Sequence, residues 1–140
     1  MSLGKLRNLC VTPFQLSQTR REIFRGLITL VRTLRDAGVK GKLWVDGSFL
    51  TIKIDPEDVD VVLRLRASDY DAGTQEFRDA VDWLSTDLKT PLKCDSYIFM
   101  VWPDQHALHY EGVWMEAYWL RQYGFSRTEK TKGIAVIELT

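Results

Sequence analysis

Two aspartates separated by one residue are the part of this sequence best suited to chemistry. Asp58 and Asp60 open an alternating apolar stretch that runs to Leu65, and this pattern predicts a β-strand. Because side chains alternate across a strand, we expect both carboxylates to project to the same side. Two neighbouring negative charges repel each other unless a cation lies between them. Mg²⁺ suits such a pair, since it binds carboxylates together with substrate phosphates.

A Gly-Ser step lies ahead of the aspartate pair, with nine residues between them. Gly47 and Ser48 follow a short predicted strand, Lys42–Asp46. Glycine allows a phosphate to approach the backbone closely, and serine offers both a hydroxyl and an amide to phosphate oxygens. Lys53, between the two motifs, has two interpretations: a point charge that steadies a triphosphate, or a solvated loop lysine.

The spacing of these motifs resembles the signature of the polymerase-beta-like nucleotidyltransferase superfamily. The resemblance implies that Gly47 and Ser48 hold the phosphates of a nucleoside triphosphate. It also implies that Asp58 and Asp60 bind divalent metal ions, Mg²⁺ or Mn²⁺. A nucleotidyl group would then pass from the triphosphate to a protein, an RNA or a small-molecule acceptor.

The same resemblance implies a third metal-binding acid on a later strand. Asp95, in the strand-like stretch Leu92–Val101, is the best candidate. Asp104 and Glu111 are nearby competitors. An acid on an otherwise apolar strand also has a second interpretation, as the partner of a neighbouring basic residue.

A closer resemblance covers almost the whole chain. Several segments are similar to a group of small, uncharacterised bacterial and phage proteins that are nucleotidyltransferase-like. These segments are Arg20–Phe24, Leu43–Lys53, Pro56–Asp60 and Lys132–Ile134. The resemblance implies the fold but supplies no substrate. By analogy with small stand-alone members of the superfamily, a role in a toxin–antitoxin or phage-conflict system is one expectation.

Hydrophobic periodicity and turn residues predict the elements that position these side chains. Residues 1–17 are predicted to be extended, and Thr19 with Glu22 fits a capping box at the start of the first helix. The element order is α-β-β-α-β-α-β, which indicates an α+β or α/β domain with a mixed sheet packed against helices. The predicted helices cover 19–38, 74–89 and 111–123, and the predicted strands cover 42–46, 58–65, 92–101 and 133–139.

Composition limits the remaining possibilities. The 140 residues suit one domain, and 19 basic residues balance 19 acidic ones, which argues against a dedicated nucleic-acid binder. We predict neither a signal peptide nor a membrane span, and therefore a cytoplasmic protein. Cys10 and Cys94 have no metal-binding or redox spacing.

The chain is short for a large acceptor-binding domain. For an enzyme, a macromolecular acceptor or a partner subunit is therefore favoured, and a homodimer is possible.

Two alternatives to an enzyme stay open. The first alternative is a catalytically inactive interaction protein on the same fold. The second is a small RNA-binding regulator, motivated by basic residues on the first helix and near the C-terminus. Those residues are Arg20, Arg21, Arg25, Arg32, Arg35, Arg121, Arg127, Lys130 and Lys132.

Overall fold

A four-stranded mixed sheet forms the centre of the protein. The computed structural model describes residues 1–124 and 134–139. The strands are β1 (Gly41–Asp46), β2 (Val59–Arg66), β3 (Cys94–Val101) and β4 (Ala135–Leu139). Their order across the sheet is β3-β2-β1-β4. Strand β1 is antiparallel to both β2 and β4, whereas β2 is parallel to β3. The predicted α+β class with a mixed sheet is confirmed.

Six helices surround this sheet in the described residues. They are α1 (Leu3–Cys10), α2 (Arg20–Asp36), α3 (Ala67–Asp71), α4 (Gln75–Leu84), α5 (Lys89–Leu92) and α6 (His109–Gly124). Helices α2, α4 and α6 correspond to the three predicted ones. Helices α1, α3 and α5 are short additions. They have one to two turns each, which is too few to establish an apolar period in the sequence.

The extended conformation predicted for residues 1–17 is wrong, because α1 lies there. The Ser2 hydroxyl accepts a hydrogen bond from the Lys5 amide at 3.1 Å and so caps the helix. Leu6 and Cys10, four residues apart, are buried on its inner face. Two apolar anchors over two turns are enough to hold a short helix against an existing core. Both cysteines, Cys10 and Cys94, are free and buried.

The first turn of α2 is capped by Ser17, and the predicted capping role of Thr19 is wrong. The Ser17 hydroxyl oxygen accepts hydrogen bonds from the amides of Thr19 and Arg20, at 3.3 and 3.1 Å. The same hydroxyl donates to the Asp55 carboxylate at 3.2 Å. Thr19 makes no side-chain capping bond. Because Asp55 lies 38 residues away, local spacing gives no sign of this arrangement.

The single helix predicted over 74–89 is divided in two. Helix α4 ends at Leu84 and α5 begins at Lys89. The Asp87 carboxylate accepts hydrogen bonds from the amides of Lys89 and Thr90 and from the Thr90 hydroxyl, at 3.0, 3.3 and 2.8 Å. These bonds lower the pKa of Asp87 and start the new helix. The break matters for the site, because it directs Lys89 towards β2.

The two faces of the sheet are covered unequally. One face carries the main apolar core, to which α1, α2 and α4 contribute. On the other face, α6 covers a smaller cluster of Trp44, Val62, Phe99 and Tyr123. Polar side chains can therefore lie at the edge of this second face without entering the main core. None of the helices in the described ranges is long and apolar enough to cross a bilayer.

Candidate metal and phosphate site

Strand register places three acids side by side on the less covered face of the sheet. Asp60 on β2 pairs with Asp95 on parallel strand β3. On its other side, Asp60 pairs with Asp46 on β1. Asp58 lies two residues before Asp60, so its side chain projects to the same face. The sheet itself thus assembles the acidic group.

Three of these carboxylates converge within metal-binding reach. Asp58, Asp60 and Asp95 each offer an oxygen atom, and these atoms lie within 4.8 Å of one another. All three side chains are partly buried. Asp95, the residue predicted to be the third acid, therefore lies in one cluster with Asp58 and Asp60. Among the described residues the cluster includes neither Asp104 nor Glu111, its sequence competitors; the side chain of Asp104 is 95% exposed.

Gly47 packs its backbone directly against this cluster. Its φ of 93° and ψ of −171° belong to a region that residues with a side chain avoid. A Cβ atom at this position would lie 2.8 Å from Oδ2 of Asp60. Glycine is therefore required both by conformation and by space. Ser48 follows at once and begins a short 3₁₀ turn, Ser48–Leu50.

All six residues predicted for the site line one open cleft. The cleft has a volume of about 790 Å³. Two tyrosines and a tryptophan from α6 and one tyrosine from β3 complete its walls. Its lining residues are Asp46, Gly47, Ser48, Thr51, Lys53, Glu57, Asp58, Asp60, Lys89, Asp95, Tyr97, Tyr118, Trp119, Gln122 and Tyr123.

Lys89 forms an ion pair with one of the three acids, and sequence reasoning did not identify it. Its Nζ lies 3.2 Å from Oδ2 of Asp58. The hydrogen bond to Asp58 raises the pKa of Lys89, and the charges of Asp58, Asp95 and Glu57 add to this effect. The predicted lysine, Lys53, is exposed at the cleft wall. No sequence motif identifies Lys89 as a site residue. It lies next to Asp58 only because the turn at Asp87 and the folded sheet bring the two together.

Two tyrosines of the cleft lie close to the acids, and burial is the main cause of their raised pKa values. The Tyr97 hydroxyl donates to Oδ2 of Asp95 at 3.2 Å; burial and then the charge of Asp95 raise its pKa. Tyr123 is 5% exposed, and within the described ranges its hydroxyl has no hydrogen-bond partner. Burial raises the pKa of Tyr123, and the charges of Asp60, Asp46 and Asp95 raise it further. The charges of these acids favour a bound cation.

The basic residues that motivated an RNA-binding interpretation lie on different elements. Arg21, Arg25, Arg32 and Arg35 are exposed on α2. Arg20 is completely buried. Arg121 is exposed on α6. Arg127, Lys130 and Lys132 lie outside the described residues, as does Gly133, with which the last strand was predicted to begin.

Comparison with known families gives a match over nearly the whole chain. Residues 1–138 match the model of a family described as "Family of unknown function (DUF6932)". The chain belongs to the DUF6932 family. No curated protein and no solved structure matches it. The description of DUF6932 assigns no activity. The residues of the cleft are therefore the basis for a functional proposal.

Proposed function

We propose that this DUF6932 protein is a metal-dependent nucleotidyltransferase, in keeping with the resemblance to the polymerase-beta-like superfamily. One observation supports the proposal above all others. The carboxylates of Asp58, Asp60 and Asp95 converge within 4.8 Å in the same open cleft as Gly47 and Ser48. Metal-binding acids and a phosphate-binding turn are the two parts that nucleotidyl transfer requires.

The donor set fits Mg²⁺ or Mn²⁺. Three carboxylates supply hard oxygen ligands, and a site of this kind is normally completed by water and substrate phosphates. Tyr123 lines the same cleft, and its hydroxyl, buried without a partner among the described residues, would be a hydrogen-bond donor for a bound phosphate. Bound divalent ions would lower the pKa of an acceptor hydroxyl and stabilise the leaving pyrophosphate.

The remaining cleft residues would hold the nucleoside triphosphate. The Gly47 backbone approaches Asp60 closely, and Ser48 lines the same cleft as the acids, where its hydroxyl would donate to a phosphate oxygen. Lys89 pairs with Asp58, and a divalent ion bound by Asp58 would compete for the same carboxylate. The Lys89 ammonium would then be available to the phosphates, with Lys53 as a second cation at the cleft wall.

We further propose a macromolecular acceptor, a protein or an RNA, or one presented by a partner subunit or second copy. The rings of Trp114 and Tyr118 on α6 stack at 6.0 Å and are 66% and 42% exposed. Tyr118 also lines the cleft, so exposed aromatic surface continues outward from the site. A continuous patch of exposed aromatic side chains is typical of a surface that binds another molecule. A toxin–antitoxin or phage-conflict role in the cytoplasm suits this proposal.

Label transfer tests the proposed activity. The protein is incubated with Mg²⁺ or Mn²⁺ and each α-labelled nucleoside triphosphate, alone, with RNA and with cell lysate. We expect metal-dependent label on one acceptor class, and its loss in the Asp58→Ala, Asp60→Ala variant. Asp104→Asn is the matched control, because that acid lies outside the cluster. Label that survives in the double alanine variant would refute the site. Absence of both transfer and triphosphate binding would instead favour the inactive interaction protein.

A further inference from the structure

Arg20 is a buried arginine at the first position of α2. The RNA-binding interpretation counted it among the basic residues of the first helix, but its side chain is 0% exposed. Within the described ranges no carboxylate lies within ion-pair distance of its guanidinium. The guanidinium lies instead over the Phe14 ring, 3.7 Å from the ring centre. A buried cation is costly unless hydrogen bonds satisfy it, so its partners explain its presence.

Those partners are backbone carbonyls, most of them in one irregular segment. Nη1 donates to the Phe49 carbonyl at 2.6 Å, and Nη2 donates to the Thr51 carbonyl at 2.8 Å. Nη2 and Nε both donate to the Lys53 carbonyl, at 2.5 and 3.2 Å. Nη1 also donates to the Cys10 carbonyl at 2.8 Å. One side chain thus ties the end of α1 to the segment 48–53.

This segment forms one wall of the cleft. Ser48, Thr51 and Lys53 line the cavity from it, whereas the metal-binding acids stand on or beside β2 and β3. The acids are held by strand pairing. Beyond the 3₁₀ turn, residues 51–53 belong to no helix or strand. The conformation of this wall therefore depends on Arg20, whereas the acids, which form the floor of the cleft, do not depend on it.

We infer that Arg20 is a positioning residue that fixes the phosphate-binding wall independently of the metal-binding floor. The inference rests on the proposed function, because it assigns the wall to the phosphates. Arginine is suited to this role: its planar guanidinium has five N–H donors, which reach several carbonyls at once. Lysine has three donors on one nitrogen atom and does not span the same carbonyls.

The test uses the 140-residue chain and measures binding at the phosphate-binding wall and at the metal-binding acids separately. Inorganic triphosphate with Mg²⁺ is titrated by calorimetry, and Mn²⁺ alone is titrated by electron paramagnetic resonance. For Arg20→Lys we expect triphosphate affinity to fall about tenfold or more, with Mn²⁺ affinity nearly unchanged. Hydrogen exchange at the amides of 48–53 should accelerate. In Arg20→Ala, millimolar guanidinium should restore slow exchange, whereas an equal concentration of ammonium should not. Arg21→Lys, an exposed neighbour on the same helix, is the matched control.

Each outcome decides for or against this role. Unchanged exchange at 48–53 in both Arg20 variants would overturn it. So would a parallel loss of Mn²⁺ and triphosphate binding, which indicates general unfolding. If the wild-type protein binds Mn²⁺ but no triphosphate, the proposed function fails. The exchange measurement and its rescue by guanidinium then still decide whether Arg20 holds the wall.

Discussion

Replacing Asp95 with asparagine is expected to stabilise the metal-free protein and to weaken its stabilisation by Mn²⁺ or Mg²⁺. Three carboxylate oxygens lie within 4.8 Å of one another. At that separation two negative charges repel by about 1 kcal/mol in water and by about 3 kcal/mol at an effective dielectric constant of 20. Asparagine at this position removes its share of the repulsion while retaining nearly the same shape.

This substitution keeps two contacts of the cluster in place. Asp58 keeps its ion pair with Lys89. After Asp95→Asn, the side-chain amide oxygen can still accept the hydrogen bond that Tyr97 now donates to the carboxylate. One of the three charged ligands is lost, so we expect metal affinity to fall on the order of tenfold or more.

Calorimetric unfolding with and without metal measures both effects. The wild-type midpoint should rise as Mn²⁺ is added, because a ligand that binds only the folded state stabilises it. The Asp95→Asn variant should start higher and rise less as Mn²⁺ is added. Asp104→Asn, whose side chain is 95% exposed, should behave like wild type. An Asp95→Asn variant that is less stable without metal would mean that this acid serves structural pairing instead.

Replacing Gly47 with alanine is expected to destabilise the fold and to weaken metal binding together. Its backbone lies in a region open essentially only to glycine, so alanine costs about 1–3 kcal/mol. The new methyl group would also lie 2.8 Å from Oδ2 of Asp60. Either Asp60 or the Gly47 turn must move, and a displaced carboxylate no longer aligns with its two partners.

Gly38→Ala is the matched control for this substitution. Gly38 also has a positive φ, 78°, but within the described residues no heavy atom lies within 4 Å of the position that an alanine methyl group would take. This variant should therefore lose stability in urea unfolding while keeping wild-type Mn²⁺ affinity. If Gly47→Ala also keeps that affinity, the close packing of the turn on Asp60 is irrelevant to metal binding.

The sequence predicts those parts of the candidate site that depend on local periodicity. Alternation in 58–65 predicts that Asp58 and Asp60 share a face, and the structure places both in one cluster. Asp95 was identified from a resemblance and an apolar strand. The register of β2 and β3 then brings it opposite Asp60. Parallel pairing of this kind is set by the whole fold, so sequence alone predicts the candidate but not its partner.

The residues that sequence reasoning missed all act across long separations in the chain. Lys89 pairs with Asp58, although β2 and α4 separate the two residues in the chain. Arg20 donates a hydrogen bond to the Lys53 carbonyl, 33 positions away. Arginine and lysine on helix surfaces are common, and nothing in their spacing distinguishes a buried exception. Ser17 is similar, since its capping geometry depends on Asp55.

Diffraction from crystals containing Mn²⁺ and inorganic triphosphate tests the central claim most directly. The anomalous signal of manganese locates the ion without reference to the protein. We expect Mn²⁺ about 2 Å from carboxylate oxygens of Asp58, Asp60 and Asp95, with triphosphate beside Ser48 and Lys89 moved away from Asp58. Manganese absent from this cluster, with Lys89 still paired to Asp58, would contradict the account.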